Sequence, residues 1–472
     1  MSYTTPRSVI VVGAGSAGSV IARRLAEAGT HVHVFEAGGE DVNPAIYDPA
    51  RVIELWHGHE DWDYYTVPQP HAGGRRLHLP RGRVLGGSHA LNGMIWVRGN
   101  PSDYDHWARM GCAGWGWEDV APVFRSIENY SCGESKLRGN RGLLDMTDAY
   151  RLSPIQQSVI DAAVQEGIPW NPDYNGEHQD GIGIEQVTMR NGRRVTTYTA
   201  YLKPLRMAVQ VHIGCRVHQI LVDRAAGKLR AVGVRYTKDG QEHELTADEV
   251  VVCAGVMDSP RLLLRSGIGP ADELRALGIE STVDLPGVGR NLHDHLLVPV
   301  IFTTKRPVGP PEAGVSVTQV HWFWRSRPEL DAPDTQPIVF SVPYYVDGMA
   351  GPPDAFTLLG GLIRPTSRGK VTLAGPGPDD GLVIDPDFLA TPEDVAALIA
   401  SVAQCRRVGR QAALKAWGAT ELYPGPGVAD DALEDYVRRT AVTYHHQVGT
   451  CAMGRDPHAA TVPAVVSPHL VV

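Results

Sequence analysis

The chain has little of what would mark a membrane, secreted or nucleic-acid-binding protein. No apolar run approaches the length that a bilayer-spanning helix needs. Its six cysteines (Cys112, Cys132, Cys215, Cys253, Cys405 and Cys451) are scattered, with neither a CxxC pair nor the spacing of a disulfide framework. A reducing cytoplasm is therefore the expected setting. Positive charge is in deficit: 44 Lys and Arg against 53 Asp and Glu leave a net charge of −9, which argues against a nucleic-acid surface. A strand-like run begins by Ser8, which leaves no room for a signal peptide. What is plentiful is glycine and proline, 51 and 35 residues, a sign of many turns and long ordered loops. At 472 residues the chain exceeds one compact core, so two domains or one elaborated unit are expected.

The most informative stretch is residues 9–18, VIVVGAGSAG. Four β-branched residues predict a buried strand, and Gly13-x-Gly15-x-x-Gly18 opens a helix over about 16–28. Gly13 permits the tight turn, Gly15 lets backbone approach a pyrophosphate together with Ser16 and Ala17, and Gly18 lets helix and strand pack closely. The helix N-terminus offers free N–H groups to the phosphates. Glu36, followed by Ala37, closes the next strand, where a carboxylate can accept both hydroxyls of an adenosine ribose. An acid there disfavours the 2′-phosphate of NADP. The combination points to a dinucleotide.

Residues 40–110 are loop-rich, and strand-like segments return at 209–213, 219–222 and 231–236. Residues 249–255, EVVVCAG, predict a second buried strand closed by Ala254 and Gly255. Ser259 before Pro260 reads as the cap and first position of the helix that follows. From about residue 300 the chain turns β-rich, with runs at 315–324, 337–346, 356–363 and 370–373 between Pro and Gly turns. Thr391 caps a helix reaching about Arg410. The expected fold is α/β: a Rossmann-type nucleotide-binding domain with an inserted antiparallel β-sheet substrate domain carrying helices. Its expected division is 1–150, 181–300 and 440–472 for the cofactor, and 151–180 and 301–439 for the substrate.

Taken together the motifs resemble the GMC (glucose–methanol–choline) flavin oxidoreductases, over about residues 8–472. The run Gly82-Arg83-Val84-Leu85-Gly86-Gly87-Ser88-His89-Ala90-Leu91-Asn92, with Trp96 and Gly99 beyond it, resembles the first family signature, from which His89 departs. Residues 255–269 resemble the second, with Val256 as the departure. Residues 288–295 (VGRNLHDH) and 444–454 (YHHQVGTCAMG) are similar to further family segments.

The resemblance implies FAD as the cofactor and oxidation of a small-molecule primary or secondary alcohol, with oxygen or another compound as electron acceptor. It implies that Arg83, Gly86, Gly87, Asn92, Gly93, Met94 and Ile95 belong to the cofactor site, the last four lining the flavin ring. Val217 matches the position where backbone meets adenine, although an ordinary strand valine reads the same. In relatives with covalent flavin a His precedes the Asn92 position; here Leu91 stands there and cannot form the bond, which implies non-covalent FAD. His89 is offset by two positions.

An alcohol C–H donates hydride only as its O–H proton leaves, so a base must reach the hydroxyl. By resemblance that base is His446, two residues before Val448-Gly449-Thr450, and not its neighbour His445. A second catalytic residue, a His or Asn, is expected beyond the run 468–472; the chain thus reads as lacking the family's C-terminal segment. That opens two alternatives to alcohol oxidation: a cyanohydrin-type lyase on the same fold, or a weakly catalytic FAD-binding remnant.

His293-Asp294-His295 could suggest a metal, but no third ligand has a recognisable spacing, and no metal is expected. Arg193 and Arg194 read as a solvated face. Choline-oxidising relatives carry a glutamate where Gln319 falls, and no carboxylate lies between 315 and 328, so a neutral or apolar alcohol is expected. His321, Trp322 and Tyr345 would suit an aromatic one, and alternation sends Trp322 and Trp324 to one face, over the flavin or into core.

Overall fold

A computed structural model describes residues 7–224, 229–309, 314–460, 462–467, 469 and 471–472. Of the closing run 468–472, Pro468 and Leu470 lie outside the described residues.

The fingerprint folds as its residues dictate. Ser8–Val12 lies between His31–Phe35 and Glu249–Val252, and Gln210–His212 completes a four-stranded parallel sheet. Val9, Ile10, Val11, Val32 and Val34 are buried, as a strand covered on both faces requires. The helix Ser16–Glu27 follows directly, and it packs this close to the strand only because residue 18 has no side chain: a Cβ there would lie 1.8 Å from Gly13 O. A three-stranded antiparallel sheet (Arg216–Asp223, Arg230–Lys238, Gln241–Thr246) lies against the helix Gly255–Arg265, joined to it by Ile220 N donating to Ser266 Oγ at 2.8 Å.

That helix corrects one expectation. It starts at Gly255, four residues before the expected cap Ser259, and carries Pro260 inside it. Proline has no N–H for the carbonyl one turn back, Val256 O. Thr450 Oγ1 donates to that carbonyl instead, at 2.6 Å. The penalty for a helical proline is offset by a residue of the 444–454 motif.

The second layer is a seven-stranded sheet. Thr420–Tyr423, Leu296–Thr303, Ala355–Leu362, Ile338–Phe340, Thr318–Phe323 and Gly181–Ile184 run in that order, and Val442–Thr443 also pairs with Leu296–Thr303. The pairings are antiparallel. Gly181–Ile184 joins this sheet although the expected division groups it with the cofactor, and the expected boundary at residue 300 falls within the strand Leu296–Thr303. The helix Pro392–Gly409, preceded by Thr391, covers one face and buries Leu398, Val402 and Cys405 against Val300, Phe302 and Phe356. No helix among the described residues is long and apolar enough to cross a membrane.

Candidate functional site

Two cavities lie along the segment 82–95. The first, of about 450 Å³, is lined at the end of the parallel sheet by Gly13, Gly15, Ser16 and Ala17 of the fingerprint and by Glu36 and Ala37 after the second strand. Gly87, Val217, Ala254 and Gly255 close it from other elements. The carboxylate of Glu36 is fixed by Ala14 N at 3.0 Å and Gly38 N at 2.9 Å. Burial pushes its carboxyl up to about 7.

The first cavity passes a fit test for a dinucleotide on its own geometry. It is walled by backbone that tolerates no side chain: a Cβ on Gly13 would lie 2.4 Å from Cys253 O, and one on Gly87 would lie 2.8 Å from Gly15 Cα. Gly13 at φ 102° and Gly87 at φ 56° also adopt the left-handed backbone that glycine allows. Bare backbone N–H groups at a helix start, with a buried acid beyond them, suit a pyrophosphate and a ribose diol.

Three expected cofactor residues do not line either cavity. Gly18 acts through helix packing. Gly86 N donates to Ala14 O at 3.0 Å and so ties the signature loop to the fingerprint. Arg83 lays its guanidinium over the Trp62 ring at 5.5 Å, and Trp62 is the residue that reaches the cavity. Trp62, Arg81, Arg216 and Asp258 line it without having been expected. Tyr64 Oη donates to the half-buried Asp258 at 2.7 Å. Only the second signature could have flagged one of these four, Asp258.

The second cavity, of about 410 Å³, has Asn92, Gly93, Met94 and Ile95 on one wall and His295, Tyr444, His445 and His446 on another. Leu297, Ile338, Phe340, Tyr344 and Trp56 make the rest largely apolar, with Thr318 and Gln336 among them. Asn92 is held by a residue assigned to solvent from sequence. Arg194 is buried, and its Nη1 donates to Asn92 Oδ1 at 2.7 Å and to His89 O at 3.0 Å. The solvated-face reading therefore fails for Arg194, because the cavity wall supplies carbonyl and amide acceptors that a local sequence view cannot see. His89 is buried, with Nε2 2.9 Å from Thr188 Oγ1, and Leu91 packs with Ile46, Leu55 and Val84.

His446 is positioned by three contacts. Its Nδ1 lies 3.1 Å from His295 Nδ1, so one imidazole donates and the other accepts. Its ring stacks on Tyr444 with centroids 4.7 Å apart. Its backbone N donates to Asp294 Oδ1 at 2.7 Å, and Asp294, itself buried, also takes hydrogen bonds from Thr443 Oγ1 and Gln447 Nε2. The preceding residue, His445, stands at φ 66°, a strained non-glycine conformation, with its carbonyl held by Arg81 Nη2. His446 is exposed toward the cavity, and desolvation by the surrounding protein, then the neighbouring His445 and Arg81, lower its imidazole below the ordinary histidine value. Its neutral form is therefore present throughout the physiological range.

The HDH segment is thus a bracket for the 444–454 motif. His293 Nδ1 faces Asn291 O at 2.7 Å, His295 meets His446, and Asp294 anchors the backbone between them. The substrate-side expectations at 319–345 are corrected. Gln319 turns away from the cavity, its Oε1 accepting Ser153 N at 3.0 Å and its Nε2 donating to Arg151 O at 2.9 Å. Trp322 is buried under the helix Pro392–Gly409, its Nε1 donating to Gln404 at 2.9 Å. His321 sits behind Gln336, and Tyr345 donates to Pro352 O, so neither lines the cavity.

Comparison with known proteins gives one answer at three levels. The N-terminal model of the GMC oxidoreductase family matches residues 8–297 and its C-terminal model matches residues 365–472. The family's C-terminal domain is therefore present, and the expectation of a lacking C-terminal segment is corrected to that extent. The chain is 36% identical to an oxygen-dependent choline dehydrogenase of Brucella anthropi, over 95% of this chain and 86% of that one. It is 33% identical to an alcohol dehydrogenase [acceptor] of Pseudomonas putida, over 97% of this chain and 88% of that one. Among solved structures, pyridoxine 4-oxidase from Mesorbium loti aligns with a TM-score of 0.90 at 34% identity, over 96% of this chain and 90% of that one.

Proposed function

The chain belongs to the GMC oxidoreductase family, and we propose that it acts on a neutral, largely apolar alcohol with His446 as the base. The reaction is FAD-dependent oxidation of an alcohol to an aldehyde or ketone, and the relatives' redox activities fit it better than a lyase reaction or a remnant. FAD, when bound, supplies the acceptor for the hydride that leaves the alcohol carbon. The chain supplies the rest. Gly13, Gly15, Ser16, Ala17 and Gly87 offer bare backbone to the pyrophosphate, and Glu36 accepts from the ribose. Leu91, an aliphatic side chain, leaves the cofactor non-covalently held.

Around the alcohol, His446 takes the hydroxyl proton. In the neutral tautomer whose Nδ1–H donates to His295, Nε2 carries the free lone pair, and a positive charge that develops on the ring is shared through that contact. Asp294 fixes the backbone from which His446 projects, and Tyr444 fixes its ring plane.

The substrate class follows from the lining. No carboxylate is among the described residues around the second cavity, whose charged member, Arg98, is a cation buried in a pair with Glu128 at 2.8 Å. A cationic alcohol such as choline, the substrate in the name of one relative, would bury its charge there without an anion to pair it. The aromatic rings of Trp56, Phe340 and Tyr344 favour an aryl or allyl alcohol in its place. Steady-state assay with an artificial electron acceptor tests this: kcat/KM for a benzyl-type alcohol is expected to exceed that for choline by roughly tenfold or more, a difference of about 1.4 kcal/mol. The opposite order contradicts the reading.

A further inference from the structure

Beside the second cavity, three side chains converge without any role in the reaction above. His57 Nδ1, His78 Nε2 and an oxygen of Asp63 all lie within 4.8 Å of one another. Asp63 Oδ1 faces both rings, at 2.7 Å from His57 Nδ1 and 3.1 Å from His78 Nε2. We propose that His57, Asp63 and His78 form a divalent transition-metal site, for which Zn²⁺ is the probe.

The ligand set selects the class of ion. Two imidazole nitrogens with one carboxylate suit Zn²⁺, Cu²⁺ or Ni²⁺, whereas Ca²⁺ and Mg²⁺ take oxygen ligands. Donors on a tetrahedral ion with bonds near 2.1 Å stand about 3.4 Å apart. The two Asp63 separations, 2.7 and 3.1 Å, fall short of that value, so rotation of half-exposed side chains has only to open the site by a few tenths of an ångström. His57 and Asp63 are 55% and 47% exposed, which leaves an entry path and room for water in the fourth position.

The backbone is built to bring these groups together. His57 and Asp63 both stand in the left-handed region, at φ 59° and 54°, although neither is glycine. The turn between them is wound around Asp61, whose carboxylate accepts His57 N at 3.1 Å, Asp63 N at 3.0 Å and Arg81 N at 2.9 Å. A two-stranded pairing of Tyr65 with His78 then brings the second imidazole over the first, with ring centroids 3.8 Å apart. Asp61 Oδ2 lies 3.0 Å from His78 Nε2, the nitrogen that faces Asp63, so an ion at this site takes the place of that contact. The site adjoins catalysis through one residue: Trp56, next to His57, lines the second cavity and meets the His445 ring edge-on at 4.8 Å. An ion on His57 therefore pins that cavity wall.

Zn²⁺ titration of the chelator-treated, FAD-loaded full chain tests the proposal by calorimetry, with Asp63→Asn and the double variant His57→Ala/His78→Ala alongside. The expected result is one saturable Zn²⁺ per chain, weakened roughly tenfold in Asp63→Asn and lost in the double variant. Circular dichroism checks that each variant is folded, and the near-isosteric Asp63→Asn keeps the test decisive should the double variant unfold. Absence of saturable binding overturns the site, and so does Zn²⁺ binding that none of these substitutions weakens. Because the readout is metal binding, its failure leaves the alcohol-oxidase reading untouched, and failure of that reading leaves the site standing.

Discussion

Replacing His446 with alanine is expected to lower kcat for alcohol oxidation by about 10³-fold, within the range that removal of a general base produces. The protein should keep its FAD, because His446 borders the second cavity and the dinucleotide-shaped cavity is built from other elements. The loss should appear in kcat more than in KM, since the imidazole acts on a proton already in motion and adds little to substrate binding. Rapid-mixing measurement of flavin reduction separates this step from reoxidation. Reduction at the wild-type rate in His446→Ala would show that the hydroxyl proton leaves by another route, with His445 or His295 as the first to replace in turn. His445 is the less suited of the two, because its carbonyl is tied to Arg81 and its ring meets Trp56.

The second large effect is expected at Asp294, which touches no substrate. Its carboxylate takes hydrogen bonds from Thr443 Oγ1, His446 N and Gln447 Nε2, and its charge faces the buried Arg81. Asp294→Ala takes the acceptor from the Thr443 hydroxyl and from His446 N, leaves Gln447 Nε2 with Thr443 Oγ1 alone, and leaves a guanidinium less compensated. Breaking such a buried set costs about 3–5 kcal/mol. Denaturant unfolding of the FAD-loaded protein should show that loss. The folded fraction should also react about 10²-fold more slowly, because displacing a catalytic group by about 1 Å has an effect of that order. Asp294→Asn retains an acceptor for His446 N and should fall between wild type and alanine on both measures. Wild-type stability in Asp294→Ala would mean that the bracket between 288–295 and 444–454 is held by other contacts.

These two residues illustrate which parts of the molecule the sequence discloses. The fingerprint is legible because each of its constraints is local: the glycines, the strand before them and the acid after them lie within one strand–helix–strand unit, and Glu36 emerges beside Gly15 through parallel pairing alone. His446 was legible through its motif. What holds these residues was not. Arg194 supports Asn92 across 102 positions, and Asp294 supports His446 across 152, distances at which residue spacing carries no information. The early start of the helix Gly255–Arg265 was hidden for the same reason, since Pro260 is tolerated through Thr450, far along the chain. In the strand Thr318–Phe323 the failure was one of register. An irregularity between Thr318 and Val320 breaks the alternation, so Thr318 faces the cavity while Trp322 packs under a helix. A simple count of odd and even positions sends the wrong aromatics to the substrate.

An alcohol bound beside His446 is expected to pass its electrons to FAD. Anaerobic addition of a benzyl-type alcohol to the FAD-loaded protein, followed at the flavin's visible absorbance band, measures that transfer. The band should bleach and one aldehyde should form per flavin reduced, with the flavin released intact on acid precipitation of a parallel sample. A yellow protein that binds the alcohol and stays oxidised across neutral and cationic alcohols alike would contradict that expectation.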